Sequence, residues 1–277
     1  MQTSLLLCEL FLKFAHRIIK IGSMHLSSGF SYTVYPKTYT GHRIFEELDD
    51  YEEFYDALAY GCHCFIPNGV EPMLNYASYI FTSIQETLKS IKTLFELGRI
   101  SDAYVLIRKI FDDILVEIYI DILREDHFDY EENLVVKDAS EWIKGKHRIP
   151  SLKKILQTIK SSPSTKDIYP FFGWETYLKK DRELLDNSVH SNRFSRMLIN
   201  CSQLFIENRE KYLDNASAFL KHIFTLHLFF IFYLNPQYLM ASTYIDYLDE
   251  GVTPPDGCEI WIANYAQEAF DKYIKGN

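Results

Sequence analysis

Hydrophobic and polar positions follow each other at helical intervals over much of this chain. The segment GRISDAYVLIRKIFDDILVEIYIDIL, residues 98–123, has apolar side chains three and four residues apart, and this spacing gives a helix one buried face. Gly98 interrupts a similar pattern that begins near Met73. Glycine takes the left-handed conformation that ends many helices. The sequence therefore predicts a hairpin of two long helices over residues 73–123.

Two further long helices are predicted in the second half of the chain. One runs from Glu175 past Phe205, with apolar side chains on one side. The other begins at Asn215, a residue type that caps helix starts, and ends at Asn235, because Pro236 disfavours a helical residue before it. Both patterns extend the helical part of the protein well beyond the hairpin.

The whole pattern predicts an all-α protein. Eleven glycines and nine prolines in 277 residues are too few for a turn-rich β-sandwich. We expect a helical bundle over residues 73–247. An N-terminal extension of amphipathic helices and loops precedes it at residues 1–72, and a C-terminal loop with a short helix follows at residues 248–277.

No stretch of the sequence indicates a membrane span or a signal peptide. Residues 1–22 are apolar but carry charged side chains at helical intervals, so they predict an amphipathic helix. The apolar run 228–234 is shorter than the roughly 20 residues that cross a bilayer. Five cysteines without paired spacing fit a reducing compartment. We expect a cytoplasmic protein.

A net charge of −9 and a pI near 5.5 argue against indiscriminate binding to duplex nucleic acid. One basic stretch stands out, because no acid occurs between Lys144 and Lys166. Trp142 precedes it and can stack on a base. The candidate nucleic-acid contacts are Lys144, Lys146, Arg148, Lys153 and Lys154. The alternative is an ordinary solvated surface.

Cys62, His63 and Cys64 are the residues that suggest a metal site. A structural zinc site needs four converging ligands, and no second CxxC or HxxxH pattern completes this group. The sequence also contains no cluster of carboxylates that would hold two catalytic metals. We therefore expect neither a metal nor an organic cofactor.

The strongest candidate site is LLDNSVHSNR, residues 184–193. Its polar members are three or four residues apart, so one helix would carry them on one face. His190 can exchange a proton near neutral pH, Asp186 can hold its tautomer, and Arg193 can bind a phosphate. Asn187 lies beside them. These groups suit metal-independent RNA cleavage; the alternative is a capping or core histidine beside a solvated arginine.

Arg108 and Asp112 form a second candidate pair. They are four residues apart on the predicted helix and border its apolar stripe. Packing that stripe against the helix of His190 brings the two polar edges together. We expect Arg108 and Asp112 to lie within reach of that helix and include both among the candidate catalytic residues.

These motifs resemble the HEPN superfamily of helical proteins. LLDNSVHSN is similar to the LS-D-x-VH-S segment of bacterial helical proteins linked to that group, and LIRKIFDD is similar to their Arg-plus-acid helix; the resemblance covers residues 83–202. It implies a homodimeric endoribonuclease or toxin in a defence or toxin–antitoxin setting. Its partners would be RNA and a cognate antitoxin or defence protein.

The arginine spacing departs from the ribonuclease pattern of that superfamily. There, an arginine precedes the histidine by about five to seven residues, whereas Arg182 precedes His190 by eight. On a helix this is about 12 Å of rise. Either Arg193 or Arg108 takes the role, or the site has lost its chemistry. In the latter case the chain is a catalytically silent protein that binds a partner protein or nucleic acid.

Overall fold

The protein is an all-α bundle over the residues that the computed structural model describes: 35–64, 76–127, 137–201, 209–240, 246–247, 250–253 and 262–272. These ranges contain no strand, only an isolated antiparallel bridge between Met240 and Ile262. The helices are α1 (Lys37–Thr40), α2 (Ile44–Cys64), α3 (Tyr76–Glu96), α4 (Ile100–His127), α5 (Lys137–Ile143), α6 (Leu152–Ser161), α7 (Lys179–Val189), α8 (Phe194–Leu198), α9 (Glu210–Leu234) and α10 (Asn264–Phe270).

The predicted hairpin is confirmed as α3 and α4. Gly98 has φ +68°, so it occupies the left-handed region that favours glycine. The N–H of Gly98 donates to the carbonyl of Phe95, and that of Arg99 donates to the carbonyl of Leu94. These two bonds satisfy carbonyls at the end of α3 and close a Schellman motif, which turns the chain into α4.

The bundle starts earlier in the chain than the sequence indicated. One compact unit spans Lys37–Asn277, and Met1–Pro36 forms a separate unit, of which residues 35–36 are described. Helix α2 packs on α3 and α9; the ring of Tyr51, for example, lies 4.5 Å from that of Phe224. Residues 37–64, which we assigned to an N-terminal extension, therefore contribute to the core.

Helix α9 is the buried central helix of the bundle. It begins at Glu210, so Asn215 lies inside it and is not its N-cap; it ends at Leu234, as predicted. Among the described residues it is the one helix long and apolar enough to cross a membrane, and 61% of its apolar window is buried inside the protein. Its outer side, with Phe229 and Tyr233, borders an apolar groove of about 620 Å³ against α10.

The predicted long helix over residues 175–205 is broken, which corrects the sequence interpretation. A π-helical turn, Trp174–Leu178, leads into α7, and α7 ends at Val189. Ser191 has φ +50°, and the N–H of Asn192 donates to the carbonyl of Asn187 at 3.2 Å. This bond stops α7 in the way that a Schellman motif stops a helix. The chain resumes as the short α8.

Some predicted segments lie outside the described residues. They are the amphipathic helix at 1–22 and the part of the predicted 175–205 helix that follows residue 201. The side chains of His63 and Cys64 also lie outside the described part, whereas Cys62 is buried in α2. In the described part of the chain, no three His, Cys, Asp or Glu side chains form a group that fits a metal ion.

Candidate functional site

Helices α4 and α7 are joined by a network of four charged side chains. The Arg108 Nε donates to Asp186 Oδ1 at 2.7 Å and its Nη1 pairs with Asp112. Arg182 pairs with the other oxygen of Asp186 at 3.3 Å and with Asp112 at 3.6 Å. Each arginine thus contacts both acids. Arg108 and Asp112 lie within reach of the helix that precedes His190, as the sequence predicted.

The network fixes the register between the two helices. Arg182 pairs with Asp112, and Asp186, one turn later on α7, pairs with Arg108, one turn earlier on α4. The helices therefore run antiparallel. Continuing the same register by one turn puts His190 at the level of Tyr104, near the N-terminal end of α4.

The segment after His190 is anchored to that same end of α4. The side-chain oxygen of Asn200 accepts a hydrogen bond from the Asp102 N–H at 3.2 Å, which satisfies one of the free donors at the start of α4. The Arg196 guanidinium lies 5.3 Å from the centre of the Tyr104 ring. The turn that carries His190 and Arg193 is therefore held against α4 by the charge network before it and by Asn200 and Arg196 after it.

His190 itself is exposed at the C-terminal end of α7. Its backbone N–H donates to the carbonyl of Asp186 at 3.0 Å. Its ring has no hydrogen bond or ion pair with another residue in the described ranges. Arg193 is exposed in extended backbone just before α8 and, within the same ranges, has no ion-pair partner. Within the described part of the chain, both side chains are therefore accessible to a ligand.

The remaining predicted site residues have other contacts. The Asp186 carboxylate is occupied by Arg108 and Arg182, so in this arrangement it does not orient the His190 ring, contrary to our expectation. The Asn187 amide donates to the carbonyls of Glu183 and Leu184 in its own helix. Because the helix ends at Val189, the four polar residues of 186–193 do not share one helical face.

Two opposing effects act on the pKa of Asp112 in this network. Burial raises the pKa of Asp112, while the hydrogen bond and the charge of Arg108 act in the opposite direction. Arg108 is only 8% exposed, whereas Asp112 is half exposed. Arg108 is thus a largely buried cation whose charge is met by two carboxylates, which leaves it poorly suited to bind an incoming phosphate.

Exposed apolar side chains surround the turn of His190. They are Val189, Phe194, Met197 and Leu198, of which Phe194 is 71% exposed. Single exposed apolar residues are normal on a protein surface, but a cluster of them beside a polar group is typical of an interaction site.

The predicted nucleic-acid contacts lie along a different part of α4. Lys144, Lys146, Arg148, Lys153 and Lys154 are all exposed. Trp142 faces Asp113 and Val116 of α4 across a groove, and Ser162, after α6, donates to Asp126 near the end of α4 at 2.5 Å. The basic stretch therefore follows the second half of α4, whereas His190 lies near its beginning.

Sequence reasoning missed a histidine–carboxylate pair between α7 and α9. His222 of α9 contacts Asp181 of α7 at 2.5 Å, and its ring packs 4.5 Å from that of Tyr177. Asp181 and His222 are 41 residues apart in the chain and belong to no local motif, so only the packing of α7 on α9 brings them together.

A buried polar cluster connects α2, α4 and α9 and was also missed. The Tyr55 hydroxyl contacts His227 Nδ1 at 2.6 Å, and His227 Nε2 contacts Glu117 at 3.3 Å. Burial raises the pKa of Glu117, and the nearby charge of Asp121 raises it further. Burial lowers the pKa of His227 to about 3. These groups are fully enclosed, so they act on stability and packing.

Comparison with family models, with curated proteins and with solved structures finds no match to this chain. The geometry of the site therefore carries the functional argument.

Proposed function

We propose that this protein is a metal-independent endoribonuclease in which His190 is the general base. His190 takes the proton of an RNA 2′-hydroxyl, whose oxygen attacks the neighbouring phosphorus. The bond to the 5′-oxygen breaks, and the products are a 2′,3′-cyclic phosphate and a 5′-hydroxyl. Arg193 binds the phosphate through its guanidinium. The observation that supports this proposal is the exposed ring of His190, which has no partner among the described residues, with Arg193 three residues away.

The four-residue network has a positioning role in this proposal. Arg108, Asp112, Arg182 and Asp186 join α4 to α7, so they hold the end of α7 where His190 emerges. A misplaced catalytic group costs rate even when its chemistry is intact. Arg108 and Asp112, which we expected to take part in the chemistry, thus act through the position of the helix.

A homodimer would complete the site. The leaving 5′-oxygen needs a proton, and the single His190 of one chain supplies only the base. The apolar cluster of Val189, Phe194, Met197 and Leu198 would place two copies of the His190 turn opposite each other, so that a second imidazole acts as the acid. If its motifs are HEPN-like, as their resemblance suggests, such a ribonuclease would act in a bacterial defence or toxin–antitoxin setting, with an antitoxin or defence protein as partner.

The proposal is tested by RNA cleavage in excess EDTA. Wild-type protein should cleave single-stranded RNA, and His190→Ala should lower the rate by roughly 10²- to 10⁴-fold, as loss of a general base does. His222→Ala is the matched control, since it removes another partly exposed histidine that contacts α7. Equal activity of wild type and His190→Ala, or a loss on His222→Ala alone, would contradict the assignment.

The second candidate is a catalytically silent protein that binds a partner through the apolar cluster. The observation in its favour is the exposed Phe194 beside a histidine without an orienting carboxylate. Phe194→Glu separates the two candidates. In the ribonuclease proposal it should shift the protein towards monomer in light scattering and lower cleavage together. Absence of cleavage by a folded wild-type dimer would favour the silent protein.

A further inference from the structure

A groove of about 470 Å³ lies between α3, α4 and α5. Its walls include three aromatic side chains: the buried Tyr76 and the 62% exposed Tyr79 of α3, and Trp142 of α5. Ser83 and Asp113 supply polar atoms at its edge. The volume falls within the range of small-ligand sites, and a mostly apolar lining with a few polar groups is their usual composition.

Exposed lysine and arginine side chains come directly after Ile143, the last residue along the chain that lines the groove. Lys144, Lys146, Arg148, Lys153 and Lys154 are exposed, and none has an ion pair with another side chain in the described ranges. Residues 144–166 contain no aspartate or glutamate. An aromatic groove beside a row of unpaired cations is complementary to a single-stranded polyanion, since bases stack on the rings while the backbone follows the charges.

The groove lies close to the proposed catalytic turn. Asp112 belongs to the charge network, and the next residue, Asp113, lines the groove. The network and the groove therefore lie on faces of α4 that are about 100° apart around the helix axis. His190 lies at the level of Tyr104, and Asp113 is nine residues further along α4, which is about 14 Å. A strand whose backbone is cleaved at His190 can therefore reach the groove within a few nucleotides.

We propose that this groove binds one unstacked base of a single-stranded RNA, and the proposal rests on the ribonuclease function above. Trp142 and Tyr79 contact the face of the base, and Ser83 and Asp113 hydrogen-bond its edge. Asp113 already pairs with Lys109 at 2.5 Å, but a carboxylate has further lone pairs for an amino group. The cations of residues 144–154 contact the phosphates. Duplex RNA is excluded, because its bases are stacked on one another.

Binding is measured with the full-length His190→Ala protein, so that the RNA stays intact. The probe is a short, unstructured RNA labelled with fluorescein, and its anisotropy reports affinity. Trp142→Ala should weaken binding by about 5- to 100-fold, the effect of removing one stacking ring, and Trp142→Phe should restore most of the affinity. Tyr60→Ala is the control, since Tyr60 is 73% exposed on α2 and does not line the groove, and should change nothing.

The charged part of the site has its own readout. Replacing both Lys144 and Lys146 with glutamine should make the slope of log affinity against log salt concentration less steep by about 1.4. Each phosphate contact to a single strand contributes about 0.7 to the steepness of that slope. Lys211→Gln, at an exposed lysine at the start of α9, should leave the slope unchanged. Equal binding of the same sequence as a duplex, or equal affinity of Trp142→Ala and its parent, would overturn the base site.

The base site in the groove and the ribonuclease function can be disproved independently of each other. If the wild type cleaves RNA through His190 while Trp142→Ala changes neither binding nor cleavage, the groove is not the base site and the ribonuclease function stands. If Trp142-dependent binding of single strands is found without cleavage, the groove is the base site and the ribonuclease function is wrong.

Discussion

At the scale of single residues, the polar side chains at the end of α7 differ in their exposure and in their contacts. Arg108 and Asp186 are paired in the interior of the α4–α7 contact, whereas His190 and Arg193 are exposed beyond the end of α7. The spacing of LLDNSVHSNR predicted one polar face because it assumed a continuous helix. A single left-handed residue, Ser191, invalidates that assumption. Residue spacing thus did not predict the geometry of this segment.

The charge network predicts unequal coupling between its members. Arg108 and Asp186 are the more buried pair and form the shorter contact, at 2.7 Å, whereas Arg182 and Asp112 are 3.6 Å apart. We expect a double-mutant cycle with Arg108→Ala and Asp186→Ala to give a coupling free energy of about 1–3 kcal/mol. The cycle with Arg182→Ala and Asp112→Ala should give a smaller value, as exposed pairs do. Equal couplings from urea denaturation would contradict this arrangement.

The buried cluster predicts opposite pH dependences for two variants. His227 is neutral when folded, with a pKa of about 3 against about 6.5 when unfolded. Its contribution to stability is therefore complete above about pH 6.5 and falls as the pH drops. Glu117 has a raised pKa when folded, so its contribution falls as the pH rises above its unfolded pKa of about 4.3. In wild type the two effects oppose each other between about pH 4.5 and 6.5.

Single substitutions separate the two contributions. Relative to wild type, His227→Gln should make the free energy of unfolding fall as the pH rises through that window, and Glu117→Gln should make it rise. The slope change is at most about 1.4 kcal/mol per pH unit for one proton. Urea denaturation at several pH values measures it. Parallel curves for wild type and both variants would show that neither group titrates as described.

At the scale of helices, hydrophobic periodicity predicted the elements correctly where a wide apolar stripe is followed by a residue that strongly favours the end of a helix. The α3–α4 hairpin, its turn at Gly98 and the end of α9 before Pro236 are all confirmed. The start of α9 was misplaced, because Asn215 is a good cap residue but lies inside the helix. The break after Val189 was missed because Ser and Asn are weaker end signals than glycine.

Ser191 allows a direct test of that helix break. A side chain in the left-handed region costs about 1–2 kcal/mol relative to glycine, so Ser191→Gly should raise stability, or at least leave it unchanged. If α7 instead continued through residue 191, the same substitution would lower stability by about 0.5–1 kcal/mol, the cost of glycine within a helix. Ser188→Gly, inside α7, is the control and should be destabilising. A loss of stability in both variants would contradict the break.

At the scale of the whole molecule, the sequence predicted the fold class but not the contacts between distant segments. All-α architecture follows from local periodicity, and it is confirmed. The inclusion of α2 in the bundle, the pairing of Asp181 with His222 and the cluster around Glu117 depend on packing between helices far apart in the chain. No local pattern encodes such contacts. The proposed chemistry at His190 likewise depends on what binds the exposed turn.

The central claim is that the RNA 2′-hydroxyl is the nucleophile and His190 its base. The most direct measurement is cleavage, in EDTA, of an RNA oligonucleotide that is cut at one mapped bond, compared with the same oligonucleotide carrying a single 2′-deoxy nucleotide on the 5′ side of that bond. The all-RNA strand should yield a 2′,3′-cyclic phosphate, and the deoxy substitution should abolish cutting at that bond. Continued cutting at the deoxy position would contradict the claim.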